Sequence, residues 1–492
     1  MTFQNFLLLN LVLLTCFSCQ QNEGKGPTES GTNNPEKPNI IIFYADDLGY
    51  GDLSSYGGDI PTPNIDNIGK KGIRFTNFYV SAPSCTPSRY SLLTGAYPQR
   101  SRGHLYDAIF EDNTDSLRAE EKIIPQYLKE QGYQTALIGK WHLGGTPLAH
   151  GFDRFAGFTQ GCIDYFTHVA EFPVISEDYA LDWHEGLQKK DTSGYATELI
   201  ADYTINYLDE FATNESPFFL YVAFNAPHYG KSAGKLAPKE NTINIRGDAP
   251  KNFTTVFPSL QAPDEYLERF AHVEDIYRRY YSAMVSAMDE NVGKIISKLE
   301  AKGELENTMI WFISDNGGYS EKYHGHASNG PLRDQKGTLY EGGIRIPALM
   351  SWPANVRKGQ VVEQAAINAD LLPTIAQIAG FEAVLEGRTI DGQNILPVLL
   401  KDTAYHREIY WYFSQTNDFA YRSGDWKLIG DELYNLHQDV SESNNLADVM
   451  PEKYAKLKQS YDSVASRMTG YRFVTENNNA QKLISTSDEP TH

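Results

Sequence analysis

Four short runs of residues carry side chains that do chemistry together, and each lies at the end of a strongly apolar stretch. Asp46-Asp47 follows 39–45 (NIIIFYA), and Lys140-Trp141-His142 comes just after 133–138. Asn225-Ala226-Pro227-His228 follows 217–224 (PFFLYVAF), and Asp315-Asn316-Gly317-Gly318 follows 309–314 (MIWFIS). Asp46, Asp47, Asp315 and Asn316 are hard oxygen donors, and three crowded carboxylates repel one another unless a cation sits between them. An all-oxygen set suits Ca²⁺, or Mg²⁺, better than zinc. One Asp-Asp pair alone reads better as a helix cap. Two acidic runs closing two buried strands favour a metal centre.

A fifth run, Ser84-Cys85-Thr86-Pro87-Ser88-Arg89, leads into a short helix that ends at Leu92-Leu93-Thr94-Gly95. It sets a cysteine just before a helix N-terminus, where the dipole favours negative charge. That placement suits a nucleophile of lowered pKa. Arg89 follows one helical turn later.

Placing these runs together requires a particular fold. Strand-length apolar runs alternate with helical segments at 122–131, 195–211, about 265 to 302 and 370–379. Such alternation predicts an α/β sandwich with a large, mostly parallel sheet. Ligands bind outside the carboxyl ends of such sheets, so the four strand ends fall on one rim. Beyond about residue 400 the pattern changes to short strands at 408–414, 419–422 and 426–429, then a helix at 452–467, as in a small α+β subdomain. The expected organisation is a signal peptide at 1–18, a tether at 19–37, a catalytic domain at 38–400, the subdomain at 401–476 and a polar tail at 477–492.

Composition narrows the function. The chain has 492 residues, 41% hydrophobic and 22% charged, which excludes wholesale disorder and coiled coil. Its formal charge of -20 argues against a nucleic-acid partner, which needs a basic footprint. Four cysteines supply no disulfide framework. The apolar run 6–17 is too short to span a bilayer and fits a signal peptide. Ser18-Cys19 at its end resembles a bacterial lipoprotein cleavage site, so a lipid at Cys19 and an outer-membrane location, periplasmic or surface-facing, are expected. Plain secretion or a soluble periplasmic protein is the alternative.

Cys85-Thr86-Pro87-Ser88-Arg89 with Leu92-Leu93-Thr94-Gly95 resembles the signature of the type I sulfatases, in which the cysteine becomes Cα-formylglycine. Further blocks match the family along nearly the whole mature chain. They include Asp46-Asp47-Leu48-Gly49-Tyr50-Gly51-Asp52, Gly139-Lys140-Trp141-His142-Leu143-Gly144 and Ser314-Asp315-Asn316-Gly317-Gly318. Lys336-Gly337, Tyr340-Glu341-Gly342-Gly343-Ile344-Arg345, Asp370-Leu371-Leu372-Pro373-Thr374 and Arg422-Ser423-Gly424-Asp425-Trp426-Lys427-Leu428 extend the match. The resemblance implies the alkaline-phosphatase-like sandwich and hydrolysis of sulfate esters by a formylglycine nucleophile.

By the same resemblance, Cys85 is the modified nucleophile and contacts the cation held by Asp46, Asp47, Asp315 and Asn316. Arg89 holds the hydrated aldehyde, Lys140 and Lys336 neutralise the sulfate, His142 takes a proton as the diol collapses, and His228 protonates the leaving oxygen. A formylglycine-generating enzyme is the implied maturation partner. A sulfated marine algal polysaccharide or its oligosaccharides is the first substrate class expected, by ecological analogy, and host glycosaminoglycans the second. The alternatives are a formylglycine-dependent phosphonate or phosphodiester hydrolase and a non-catalytic glycan-binding lipoprotein. His324 and His326 are further candidates for substrate contact; His104, His184 and His272 read as ordinary loop histidines, Cys162 as a buried thiol, and 230–262 as an insertion.

Overall fold

The computed structural model describes residues 37–109, 115–170, 181–211, 213, 215–230, 260–320, 326–401, 403, 405–468, 471–476 and 480–485. The leader with Cys16 and Cys19, all but the last residue of the tether, most of the 230–262 insertion and His324 lie outside them. No helix among the described residues is long and apolar enough to cross a membrane.

The main sheet is built from β1 (Asn39–Asp46), β2 (Ile73–Tyr79), β3 (Gln134–Lys140), β4 (Arg154–Phe158), β5 (His184–Glu185), β6 (Gln188–Lys189), β7 (Phe218–Pro227), β8 (Thr308–Ser314), β9 (Arg345–Ser351), β10 (Gln360–Val362) and β11 (Ala366–Ile367). Its order is β10-β2-β9-β8-β1-β7-β3-β4-β5-β6, with β11 also on β2. β8, β1, β7, β3 and β4 run parallel, so the four expected strand ends do reach one rim. β9 runs antiparallel between β2 and β8.

The strands are apolar throughout because both faces are covered. Ile40, Ile42 and Tyr44 enter one core, and Ile41, Phe43 and Ala45 enter the other. Against the second face pack α1 (Pro63–Lys71), α4 (Ala196–Phe211), α5 (Asp264–Arg269) and α6 (Ile276–Lys302). The first face is covered by α2 (Cys85–Thr94), α3 (Ile124–Glu130) and α7 (Leu371–Ala379), together with the C-terminal sheet. That sheet is antiparallel, β12 (Glu408–Phe413) to β15 (Glu432–Asn435) through β13 (Asp418–Ser423) and β14 (Trp426–Ile429), and α8 (Pro451–Ala465) packs on it.

One expectation is corrected. The single helix over 265–302 is two, α5 and α6. The amphipathic pattern continues across 270–275, but Asp275 starts a new helix by accepting from the backbone N–H of Tyr277 (2.9 Å) and Arg278 (3.1 Å). Within the expected polar tail, Ala480–Ser485 forms a strand paired antiparallel with Tyr471–Glu476.

Removing the Asp275 cap tests the break. Asp275→Ala should lower unfolding stability by ~1 kcal/mol in a denaturant titration, the usual worth of such a cap. No change would mean that packing alone starts α6.

Candidate active site

Each functional side chain is delivered by a strand end or the turn after it. β1 ends in Asp46, and Asp47 follows in a left-handed backbone conformation (φ 62°). β3 ends in Lys140, and His142 is also left-handed (φ 55°). Gly139 lets β3 reach that far, because a Cβ there would lie 2.0 Å from the Ala223 carbonyl oxygen. β7 delivers His228, and β8 delivers Asp315 and Asn316. β2, which the sequence reading passed over, leads through Ser81–Ser84 into α2, and Cys85 is the first residue of that helix rather than the one before it.

Asp46, Asp47, Asp315 and Asn316 are all buried and share one cluster. The Asp315 carboxylate accepts from the Asp47 backbone N–H at 3.1 Å and from Arg89 Nη2 at 2.9 Å. Asn316 Nδ2 donates to Asp47 Oδ1 at 2.7 Å. Two acceptors in the cluster, Asp46 Oδ1 and Asn316 Oδ1, are buried with no hydrogen-bond donor. Buried oxygens without donors are costly, and a cation is the partner that carboxylate and amide oxygens can share. The donor set therefore fits a hard divalent ion. Asp46, Asp47 and His228 also offer ligand atoms within 4.8 Å of one another.

Three cations face the three carboxylates. Lys140 Nζ lies 2.6 Å from Asp46 Oδ2, Lys336 Nζ lies 2.7 Å from Asp47 Oδ1, and Arg89 sits between Asp46 (3.5 Å) and Asp315. Burial works against the charge of both lysines, but for Lys140 Asp46 and the Cys85 sulfur, and for Lys336 Asp47 and the same sulfur, raise the pKa. Burial would raise Asp46 as well; Lys140, His228 and Arg89 instead hold it well below the usual carboxylate range. Asp315 is pushed up by burial and by Asp46. Two carboxylates sharing one guanidinium is the situation that a further cation relieves.

The histidines hold opposite tautomers. His142 Nε2 donates to the Ile109 carbonyl at 2.9 Å, so its buried and unpartnered Nδ1 is the basic nitrogen. Burial, then Lys140, keeps the ring well below its ordinary pKa. His228 Nδ1 donates to the Tyr229 carbonyl at 2.6 Å, leaving Nε2 toward Asp47 Oδ2 at 3.7 Å. Burial pulls its pKa to about 4, against the pull of Asp46 and Asp47.

All ten residues singled out from the sequence thus gather at one rim. His326 does not join the carboxylates; its ring stacks on Tyr277 with centroids 5.1 Å apart. His184 bonds Asp182 at 3.0 Å, His104 pairs with Asp115 at 3.4 Å, and His272 lies beside Phe270. Cys162 is buried. Two contributors escaped the sequence reading. Tyr165 donates to the Asn225 and His228 carbonyls (2.7 Å each), and no spacing in the sequence announces it. Tyr44 underlies the Arg89 guanidinium at 5.1 Å, and its place two residues before Asp46 in a strand was the available signal.

Comparison with known proteins agrees with this geometry. The Sulfatase family model matches residues 38–381, and the model described as N-sulphoglucosamine sulphohydrolase, C-terminal, matches 334–468. Arylsulfatase A of Bos taurus is 31% identical over 439 residues, 82% of this chain and 77% of its own length. N-acetylgalactosamine-6-sulfatase of Mus musculus is 32% identical over 400 residues, 78% of this chain and 70% of its own. The crystal structure of Ps i-CgsB superimposes with a TM-score of 0.76 at 31% identity, covering 87% of this chain and 93% of that one. A second structure of that protein holds k-i-k-neocarrahexaose. BT4656 in complex with D-glucosamine-2-N,6-O-disulfate has a TM-score of 0.65 at 26% identity, covering 88% of this chain and 98% of that one. The chain belongs to the type I sulfatases of the alkaline-phosphatase-like superfamily, a family dependent on formylglycine and a metal ion, and is a sulfuric ester hydrolase.

Proposed function

We propose that this sulfatase removes sulfate from a sulfated carbohydrate, first a marine algal polysaccharide or oligosaccharides from it, with Cys85 converted to formylglycine and Ca²⁺, or Mg²⁺, at the oxygen cluster. One observation carries the reading: three buried carboxylates face three cationic side chains around Cys85. These charges balance, so an added divalent ion leaves the centre positive and suited to a sulfate monoester anion. The oligosaccharide held by Ps i-CgsB supports a carbohydrate of this kind. A glycosaminoglycan is the second reading, favoured by the glucosamine disulfate held by BT4656. The run 6–17 with Ser18-Cys19 supports a lipid-anchored envelope protein matured by a formylglycine-generating enzyme.

Formylglycine at position 85 would supply the nucleophile, and a cation held by Asp46, Asp47, Asp315 and Asn316 would supply Lewis-acid polarisation. The chain's own side chains do the rest. The α2 N-terminus and Arg89 hold negative charge at position 85. Lys140 and Lys336 lie against the carboxylates and neutralise charge developing on the sulfate. His228 Nε2 gives a proton to the leaving oxygen, and His142 Nδ1 takes one as sulfate is released.

Peptide mass spectrometry of protein made with a maturation system should find the Cys85 peptide changed by loss of H₂S and gain of O. Cys85→Ser should stay folded with nearly all turnover gone; near-normal sulfate release would sink the nucleophile. Chelated protein titrated with Ca²⁺ should melt higher, by ~2.7 kcal/mol at a hundredfold excess over Kd, and Asp46→Asn should lose the response. An equal rise in that variant would place the ion elsewhere. Because burial pulls the His228 ring down to about 4, its protonated fraction grows as pH falls toward that value. The kcat/KM for a sulfate ester should therefore rise from pH 7 toward 5. His228→Asn should abolish that rise and lower kcat ~10²-fold; an unchanged slope would assign the proton to another group.

A further inference from the structure

The stretch 333–343, which carries Lys336, is held on two sides. On the inner side Lys336 N–H donates to the Gly318 carbonyl (3.2 Å), Gly337 N–H to that of Pro83 (2.9 Å), and Gly317 N–H to that of Gly343 (2.9 Å). These bonds tie it to the Asp315-Asn316 turn and to the approach to Cys85. On the outer side a set of anchors comes from the C-terminal sheet and the turn after it. Arg333 donates to the Glu442 carbonyl (2.9 Å) and the Tyr434 hydroxyl (3.1 Å), and Tyr340 donates to Glu432 (2.7 Å). The Glu341 N–H donates to Glu442 Oε2 (2.6 Å).

Behind these bonds lies a buried ionic cluster that the reaction does not use. Lys427 Nζ sits 3.0 Å from Glu341 Oε1 and 2.8 Å from Glu442 Oε1, and all three residues are 0% exposed. The other Glu341 oxygen accepts from Tyr79 (2.7 Å), at the end of β2, and faces Arg345 (3.3 Å). Arg422 donates to the same tyrosine. Apolar side chains would join two layers at least as firmly as buried ions. What charged groups add is fixed direction, and Glu341 is held here at the far end of the stretch whose Lys336 Nζ lies 2.7 Å from Asp47.

We infer that Glu442, acting with Lys427 and Glu341, is a positioning residue by which the C-terminal sheet sets Lys336 for the sulfate. This rests on the sulfate contact given to Lys336 above.

A double-mutant cycle on the matured full-length enzyme tests it, using Glu442→Gln, Lys336→Ala and both together, with kcat and KM for a sulfate ester and a melting temperature for each. Glu442→Gln should lower kcat/KM about tenfold beside Lys336 and less than twofold in the Lys336→Ala background. Equal losses in both backgrounds would overturn the positioning role. Wild-type activity in Lys336→Ala would overturn the role of Lys336 itself, and the inference with it. Should Glu442→Gln not fold, Tyr340→Phe, which removes only the bond to Glu432, takes its place in the cycle with the same expected non-additivity.

Discussion

Six charges in one cluster, five of them buried and Lys336 partly so, constrain everything else in this molecule. Asp46, Asp47 and Asp315 would not stay ionised away from water alone, and neither would Lys140, Lys336 and Arg89. Each is tolerable only while its opposite number lies within a few ångströms, so the elements bearing them cannot drift independently. Loss of one partner leaves an uncompensated charge, a change that ordinarily costs about 3–5 kcal/mol. The same constraint explains why Asp47 and His142 keep left-handed backbones: the surrounding contacts over-determine them.

The architecture meets this constraint by bringing parallel strands to a common edge and closing the edge with a helix. β1, β3, β7 and β8 bring Asp46, Lys140, His228 and Asp315 to that edge, while α2 brings Cys85 and Arg89 from the flank. Backbone contact is close where these parts meet. A Cβ on Gly317 would lie 1.8 Å from the Gly342 carbonyl oxygen, so the Asp315-Asn316 turn can lie flush against the segment leading into β9 only with glycine there.

What the sequence disclosed follows from what is local. Strands buried on both faces are continuous apolar runs, so β1, β3, β7 and β8 were legible, and so were the polar residues that end them. β2 was not, because Arg74, Thr76 and Asn77 interrupt its apolar pattern on a partly exposed face. β9 was missed as well, since Pro347 lies within it and its antiparallel direction leaves no local mark. The split between α5 and α6 depends on one capping carboxylate inside an unbroken amphipathic pattern. Tyr165 and Glu442 act over separations of about 60 to 100 residues, where composition and period carry no information.

The register between β1 and β8 pairs Ala45 with Ser314, so the two halves of the oxygen cluster start one strand apart. Neighbouring strands are spaced by their hydrogen bonds at about 4.8 Å. The gauge of the oxygen cluster is therefore set first by the pitch of the sheet. Insertions around the rim can lengthen, shorten or change sequence without altering that gauge, which leaves the mouth of the site free to diversify among substrates while the reactive floor stays constant.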